Sequence, residues 1–166
     1  MPNATDFKTV TRSATETKKL GAILGKLLSP KDVVALYGEL GAGKTTFVKG
    51  VATGLGVTTE KQVSSPTFVL IHEYRAKWPI FHLDWYRLST VEGSDELLAQ
   101  ECFENQKAVT LVEWPERGKN LLPKKRIEVR LSHKSEAERR VQISFRGEGG
   151  EVLKRRLKAF YENSGV

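Results

Sequence analysis

The chain has 166 residues, of which 39% are hydrophobic and 28% are charged. This length is typical of one domain with its own apolar core, and the composition excludes collagen-like, low-complexity and disulfide-scaffold proteins. The single cysteine, Cys102, excludes an internal disulfide. No apolar run approaches the roughly 20 residues of a membrane helix, and residues 1–17 contain no apolar segment of a secretory signal. We therefore predict one cytoplasmic domain that covers residues 1–166.

The excess of positive charge lies at the C-terminal end of the chain. Residues 1–118 carry 14 basic and 14 acidic side chains, whereas residues 119–166 carry 13 basic and 6 acidic ones and so account for the whole net charge of +7. A solvated basic face explains this excess as well as a contact surface for nucleic acid or for an acidic partner does. Few aromatic residues lie among these charges, so a base-stacking platform is not indicated.

Predicted helices and strands alternate along the chain. A capping box at residues 13–16 begins a helix with apolar residues at helical spacing, and Ser29-Pro30 ends it. After it, in chain order, we predict a strand over 32–37, a loop over 38–43, a helix over 45–54, strands over 68–74 and 80–84, a helix over 94–102, strands over 108–113, 126–132 and 140–146, and a helix over 152–161. Apolar strands alternating with helices indicate an α/β fold with a largely parallel sheet.

The loop over 38–43 belongs to a phosphate-binding motif. Residues 38–45 read G-E-L-G-A-G-K-T, which fits G-x-x-x-x-G-K-[ST] at every fixed position. Glycines let successive backbone amides face the phosphates, and the N-terminus of the next helix adds positive charge. In this motif Lys44 contacts the β- and γ-phosphates and the Thr45 hydroxyl binds Mg²⁺. The sequence therefore predicts a nucleoside triphosphate site, with a glycine-rich turn and an incidental lysine as the alternative.

A phosphate-binding loop of this class also needs an acidic residue at the end of a neighbouring strand, to hold Mg²⁺ or its water. Asp84 and Glu113 each end a predicted strand. Either carboxylate could instead cap the turn that follows it, and spacing alone does not rank the two.

Four motifs follow one another in an order that resembles the bacterial TsaE (YjeE) family. They are the phosphate loop, S-S-P-T-F at 64–68, H-L-D-W-Y-R-L at 82–88 and V-E-W-P-E at 112–116. The resemblance covers roughly residues 10–135 and leaves the last thirty residues with little family signal. The chain departs from the family at Leu83 and Trp85, where H-F-D-L-Y-R-L is common. These apolar exchanges leave the chemistry of Asp84 unchanged but can alter local packing.

The resemblance implies a P-loop NTPase-type three-layer fold with a largely parallel central sheet and a C-terminal antiparallel extension. The family is the small ATPase required for threonylcarbamoyladenosine formation on tRNAs that read codons beginning with A. Membership would imply ATP and Mg²⁺ as cofactors, and a TsaD-type transferase with its TsaB-type companion as partners. No arginine in the sequence is clearly placed as an arginine finger, so we expect weak turnover by the isolated chain that rises when a partner orders the site.

The resemblance also implies roles for individual residues. Thr45 and Glu113 look like the Mg²⁺ ligands, and Asp84 looks like the Walker B-type acid near the metal and the attacking water. Ser65 and Thr67 fall in the switch segment, and we count Thr67 among the catalytic residues with Lys44, Asp84 and Glu113. The candidate nucleotide-binding residues are Gly38, Glu39, Leu40, Gly41, Ala42, Gly43, Lys44, Thr45, Thr46, Ser13, Thr17, Ser65, Trp114 and Glu116.

Several of these residues also have a purely structural interpretation. Thr67 can simply begin a strand, and Trp114 can belong to the core. We interpret His82 as a packed strand histidine, and the spacing of His72, His133 and Cys102 does not predict a zinc site.

Two other functions fit parts of the sequence. A P-loop small-molecule or nucleoside kinase has similar length, although the arginine-rich region here falls in predicted strands and a helix rather than in a mobile lid. A nucleic-acid-binding module would use residues 119–166 on tRNA phosphates, although no helix-turn-helix, zinc-finger or aromatic RNA-binding signature supports base-specific contacts.

Overall fold

The computed structural model describes residues 5–64 and 70–166. Its helices and strands in chain order are β1 (Thr5–Thr11), α1 (Ala14–Leu27), β2 (Val33–Tyr37), α2 (Lys44–Gly54), β3 (Ile71–Tyr74), β4 (Ile80–Asp84), α3 (Ser94–Glu104), β5 (Val109–Glu113), β6 (Arg126–His133), β7 (Arg139–Arg146) and α4 (Gly150–Asn163). Short 3₁₀ helices cover Glu60–Gln62 and Pro115–Leu121. No helix among these described residues combines the length and the apolar character needed to span a bilayer.

The predicted helices are present with ends shifted by a few residues. Ser13 caps α1 as expected, since its side chain accepts a hydrogen bond from the backbone N–H of Glu16. The strand predicted over 68–74 is seen as Ile71–Tyr74, and residues 68 and 69 lie outside the described residues. Strand β1 and the 3₁₀ helix Pro115–Leu121 were not predicted.

The described strands form one seven-stranded sheet in the order β1-β7-β6-β2-β5-β4-β3. Its centre, β6-β2-β5-β4, is parallel. Strands β7 and β1 extend one side in antiparallel fashion, and β3 adds an antiparallel strand at the other edge. This arrangement confirms the predicted α/β fold and its C-terminal antiparallel extension, and it adds the N-terminal strand β1 to that extension.

Helices cover both faces of the sheet. Buried side chains of α1, α2 and α4 pack on one face, and those of α3 and the Pro115–Leu121 segment pack on the other. Strand β2 is buried on both sides because Val34 and Leu36 contact the first layer while Val33 and Ala35 contact the second. The protein therefore has the three layers that the resemblance implied.

Glycines allow α1 and α2 to approach each other closely. A Cβ atom added at Gly50 would lie 2.2 Å from the carbonyl oxygen of Lys18, and one added at Gly54 would lie 2.2 Å from that of Ala22. Any side chain at these two positions would therefore push the helices apart. Because α2 begins at Lys44, this contact also fixes the helix that follows the phosphate loop.

Candidate nucleotide-binding site

The candidate site lies at the carboxyl ends of the central parallel strands, where α/β proteins commonly bind ligands. The phosphate loop follows β2, Asp84 is the last residue of β4, and Glu113 is the last residue of β5. The register pairs Glu113 with Leu36 on one side and with Asp84 on the other. The sheet therefore brings both predicted carboxylates next to the loop.

The backbone of the phosphate loop depends on glycine at two tight positions. Gly43, the residue before α2, has a φ of +102°, and Gly38 has a φ of +154°. A Cβ atom at Gly38 would lie 2.6 Å from the carbonyl oxygen of Leu131. Within the described part of the chain no side chain caps the N-terminus of α2, so its amides remain available to an anion.

Lys44 is buried at the floor of this loop with 5% of its surface exposed. Its ammonium group donates hydrogen bonds to the carbonyl oxygens of Gly38 and, at 2.9 Å, Glu39. It also lies 4.2 Å from the centroid of the Trp114 ring. Burial lowers the pKa of Lys44, while the negative charges of Glu113, Glu116 and Asp84 oppose that shift. The carbonyl oxygens and the ring thus hold a buried cation where the motif requires one.

The oxygen donors for a metal ion meet beside Lys44. The Thr45 hydroxyl donates a 3.0 Å hydrogen bond to Oε1 of Glu113, which is 2% exposed. Asp84 is 7% exposed, and its Oδ1 accepts a 2.9 Å hydrogen bond from the backbone N–H of Tyr86. Thr45, Asp84, Glu113 and Lys44 line one cavity of about 340 Å³. A hydroxyl and two carboxylates fit Mg²⁺, which binds oxygen ligands and keeps room for water and phosphate oxygens.

Trp114 forms one wall of this cavity in a strained conformation. Its φ of +59° lies in the left-handed region, which costs a bulky residue about 1–3 kcal/mol. The ring packs against Tyr86 at a centroid distance of 5.0 Å and covers the Lys44 ammonium. Leu40, which is 72% exposed, lines the same cavity from the phosphate loop.

Four of the candidate nucleotide-binding residues, which the family resemblance places at the nucleoside, fall on separate parts of the surface. Ser13 and Thr17 line a cavity of about 310 Å³ with Gly41, Gly43 and Thr46. The Thr17 hydroxyl is already engaged, because it donates to the Ser13 carbonyl oxygen at 3.2 Å and lies 2.7 Å from the Thr11 hydroxyl. Glu116 and Trp114 instead line a groove of about 720 Å³ that also borders the loop at Gly38, Glu39 and Leu40. The structure therefore does not bring these four residues into one cavity.

Two predicted site residues, Ser65 and Thr67, lie outside the described residues. The last described residue before them is Ser64, whose carbonyl oxygen accepts a 3.1 Å hydrogen bond from the Tyr74 hydroxyl.

Arg139 contacts the phosphate loop although sequence reasoning did not select it. Its guanidinium donates hydrogen bonds to the carbonyl oxygens of Ala42, at 3.1 Å, and Gly41, at 3.4 Å. The same group also binds the carbonyl oxygens of Ser135 and Glu136 in the β6–β7 turn. No local motif marks this role, since the contact joins residues 97 positions apart.

A cluster of arginines surrounds the buried carboxylate of Glu128 in the groove that borders the phosphate loop. Glu128 is 2% exposed, and its oxygens lie 2.7 Å from Arg126, 2.9 Å from Arg146 and 3.3 Å from Arg130. Burial alone would raise the pKa of Glu128, but hydrogen bonds from Arg146 and Arg126 outweigh it and hold that pKa below its usual value. These side chains line the same groove as Trp114, where four basic side chains face three acidic ones beside the nucleotide site.

Comparisons with known proteins agree on one family. The model of "Threonylcarbamoyl adenosine biosynthesis protein TsaE" matches residues 11–141. A tRNA threonylcarbamoyladenosine biosynthesis protein TsaE of Treponema pallidum is 37% identical over 138 residues, which are 83% of this chain and 100% of the relative. The TsaE protein of Bacillus subtilis is 39% identical over 139 residues, 83% of this chain and 85% of that protein. The crystal structure of Bacillus subtilis YdiB matches with a TM-score of 0.79 and 34% identity, and the match covers 95% of this chain and 97% of that one.

Proposed function

The chain belongs to the TsaE family, and we propose that within tRNA threonylcarbamoyladenosine biosynthesis it acts as a Mg²⁺-dependent ATPase. The observation that carries this proposal is the contact between the Thr45 hydroxyl and Glu113, next to Lys44 and at the uncapped N-terminus of α2. A phosphate-binding loop beside two buried carboxylates supplies the phosphate-binding and metal-binding parts of a nucleotide-hydrolysing site.

In the proposed mechanism, the loop amides and Lys44 bind the phosphates of ATP. Thr45 and Glu113 would hold Mg²⁺, which would neutralise charge on the phosphate oxygens. Asp84 would orient the attacking water, and the family resemblance assigns further roles to Thr67 and Ser65, which lie outside the described residues. Catalysis then rests on positioning and electrostatic stabilisation, with no covalent intermediate.

We place the nucleoside beside Ser13 and Thr17, because their cavity shares Gly41, Gly43 and Thr46 with the phosphate cavity. In this arrangement Trp114 acts on the phosphate side, through its contact with Lys44.

We further propose that a partner completes the catalytic site. None of the arginines in the described part of the chain lines the cavity formed by Lys44, Thr45, Asp84 and Glu113. A phosphoryl-transfer site without such a cation is expected to turn over slowly. A TsaD-type transferase and its TsaB-type companion, which the family resemblance implies, are therefore expected to raise turnover.

Phosphate release from Mg-ATP tests the residue roles. Asp84→Ala and Glu113→Ala are expected to abolish turnover, whereas Glu101→Gln, which removes an exposed acid on α3, is expected to retain it. Circular dichroism and thermal unfolding check that each variant is folded. A folded Asp84→Ala or Glu113→Ala protein with the parental rate would remove that residue from the mechanism.

An auxiliary tRNA contact is favoured by the arginine cluster. Arg126, Arg130 and Arg146 share one carboxylate. The groove is also lined by Lys119, Glu39 and Glu116, so its four basic side chains exceed its three acidic ones by one. We propose that this groove contacts tRNA phosphates, as a supplement to contacts made by the partners.

Salt dependence tests this contact. Binding of tRNA is expected to weaken steeply between 50 and 200 mM salt, on the order of 10-fold or more for a few phosphate contacts. The double change Lys119→Gln/Arg130→Gln is expected to weaken binding more than Lys61→Gln/Arg75→Gln, which removes the same charge from exposed positions outside the groove. Absent or salt-insensitive binding would assign the groove to protein contacts or to solubility.

A further inference from the structure

His82 lies at the centre of a hydrogen-bonded chain behind the metal-binding carboxylate. It is fully buried on β4, two residues before Asp84. Its Nε2 atom lies 2.7 Å from Oε2 of Glu113, and its Nδ1 atom lies 3.2 Å from the hydroxyl oxygen of Tyr74. Both ring nitrogens therefore have partners, and both partners lie on neighbouring strands of the sheet.

Burial of an imidazole costs free energy unless its nitrogens are hydrogen-bonded, and an apolar side chain would fill a strand interior without that requirement. The direction of the bond to Glu113 is fixed by chemistry, because a carboxylate only accepts and Nε2 must donate. The ring position is fixed in turn by the Tyr74 hydroxyl, which is itself held by donating to the Ser64 carbonyl oxygen at 3.1 Å. Packing alone does not explain why a histidine occupies this place.

The two carboxylate oxygens of Glu113 have different hydrogen-bond partners. Oε1 faces the Thr45 hydroxyl at 3.0 Å, and Oε2 is occupied by His82. A donor on Oε2 prevents rotation of the carboxylate and keeps Oε1 directed toward Thr45. Outer hydrogen bonds of this kind commonly orient metal-binding carboxylates, and their loss typically costs 10–100-fold in metal affinity or activity.

We propose that His82 is a positioning residue that orients Glu113 for metal binding, and that Tyr74 holds the His82 ring in place. The chain of contacts runs from Ser64 through Tyr74, His82 and Glu113 to Thr45, so it joins the start of the S-S-P-T-F motif to the first turn of α2. This inference rests on the proposed function, because it assigns Glu113 to the metal. It adds a role to His82, which the sequence indicates to be a packed strand histidine rather than a ligand.

Two variants separate the contacts of His82. In His82→Gln the side-chain amide nitrogen reaches about as far as Nε2, so a donor to Glu113 is retained. In His82→Asn the amide reaches only as far as Nδ1, so the contact with Tyr74 is retained and the donor to Glu113 is lost. His133→Asn, at an exposed position at the end of β6, is the matched control.

The first measurement is the affinity for Mn²⁺ in the presence of ADP, detected by electron paramagnetic resonance of the free Mn²⁺. The second is the Mg²⁺ concentration that gives half-maximal ATP turnover. We expect His82→Asn to weaken both by about 10-fold or more and His82→Gln to stay within about 3-fold of the parent. Affinity for ADP without metal is expected to be unchanged in both variants. Tyr74→Phe is expected to show a smaller metal effect than His82→Asn.

The outcomes separate the two claims. Equal metal affinities for His82→Asn, His82→Gln and the parent would overturn the positioning role, and so would an equal loss in both variants accompanied by an equal loss of stability. A metal defect confined to His82→Asn, in a protein whose parent does not hydrolyse ATP, would support the positioning role and overturn the proposed ATPase.

Discussion

Replacing Gly50 by alanine tests the link between helix packing and the phosphate loop. The new methyl carbon would lie 2.2 Å from the Lys18 carbonyl oxygen, more than 1 Å short of the 3.4 Å at which ordinary contact begins. That atom is backbone, so α1 and α2 must separate, and such overpacking costs about 1–3 kcal/mol. The higher helix propensity of alanine returns about 1 kcal/mol. We therefore expect the free energy of unfolding to fall by up to about 2 kcal/mol, on balance.

Urea unfolding measures that change, and nucleotide titration measures its effect on the site. Because α2 begins at Lys44, a displaced helix is also expected to weaken binding of Mg-ATP. Thr53→Ala, at an exposed position of α2, creates no such overlap and is expected to stay within about 0.5 kcal/mol of the parent. Unchanged stability and nucleotide affinity in Gly50→Ala would refute the idea that the close contact positions the loop.

Three further predictions follow from buried groups. Burial raises the pKa of the Cys102 thiol to about 11, so a maleimide is expected to label Cys102 only after unfolding. Glu128→Gln is expected to lower the free energy of unfolding at neutral pH by about 1–3 kcal/mol, because the Arg126 and Arg146 cations lose a buried partner. Since folding lowers the pKa of Glu128, that stabilisation is fully present above the usual value near 4.5 and is lost as the pH falls below it. Finally, Mg-ATP is expected to change the tryptophan fluorescence through Trp114, because nucleotide binding draws Lys44 away from the ring.

Each of these predictions has a clear contrary result. Rapid labelling of Cys102 in the native protein would show that the thiol is accessible. A Glu128→Gln protein as stable as the parent from neutral to acidic pH would show that the arginine cluster does not depend on the carboxylate. A fluorescence change that persists in Trp114→Phe would assign the signal to Trp78 or Trp85.

The central part of the fold was predictable because its information is local. Apolar runs such as Val33–Tyr37 and Val109–Glu113 are buried on both faces, so their composition alone indicates a parallel core. Strand β1 was not predictable in the same way. Its apolar residues, Phe7 and Val10, do not alternate, and it is held by pairing with β7, more than 100 residues away in the chain.

The site residues that a local motif marks were also predictable, whereas those that depend on long-range contacts were not. Thr45 and Glu113 were selected by a motif and by a strand end, and the structure places them in contact. Arg139 and the Tyr74–His82 pair were not selected, because their importance comes from hydrogen bonds that only the folded sheet creates. A histidine within an apolar strand gives no local sign that a carboxylate on the next strand depends on it.

The most direct test of the central claim is phosphate release from Mg-ATP by the pure chain, alone and with the two expected partner proteins. We predict low turnover by the chain alone, a clear rise with both partners, and no turnover by Lys44→Ala in either condition. Turnover that survives in Lys44→Ala, or that does not respond to the partners, would contradict a partner-gated ATPase at this phosphate loop.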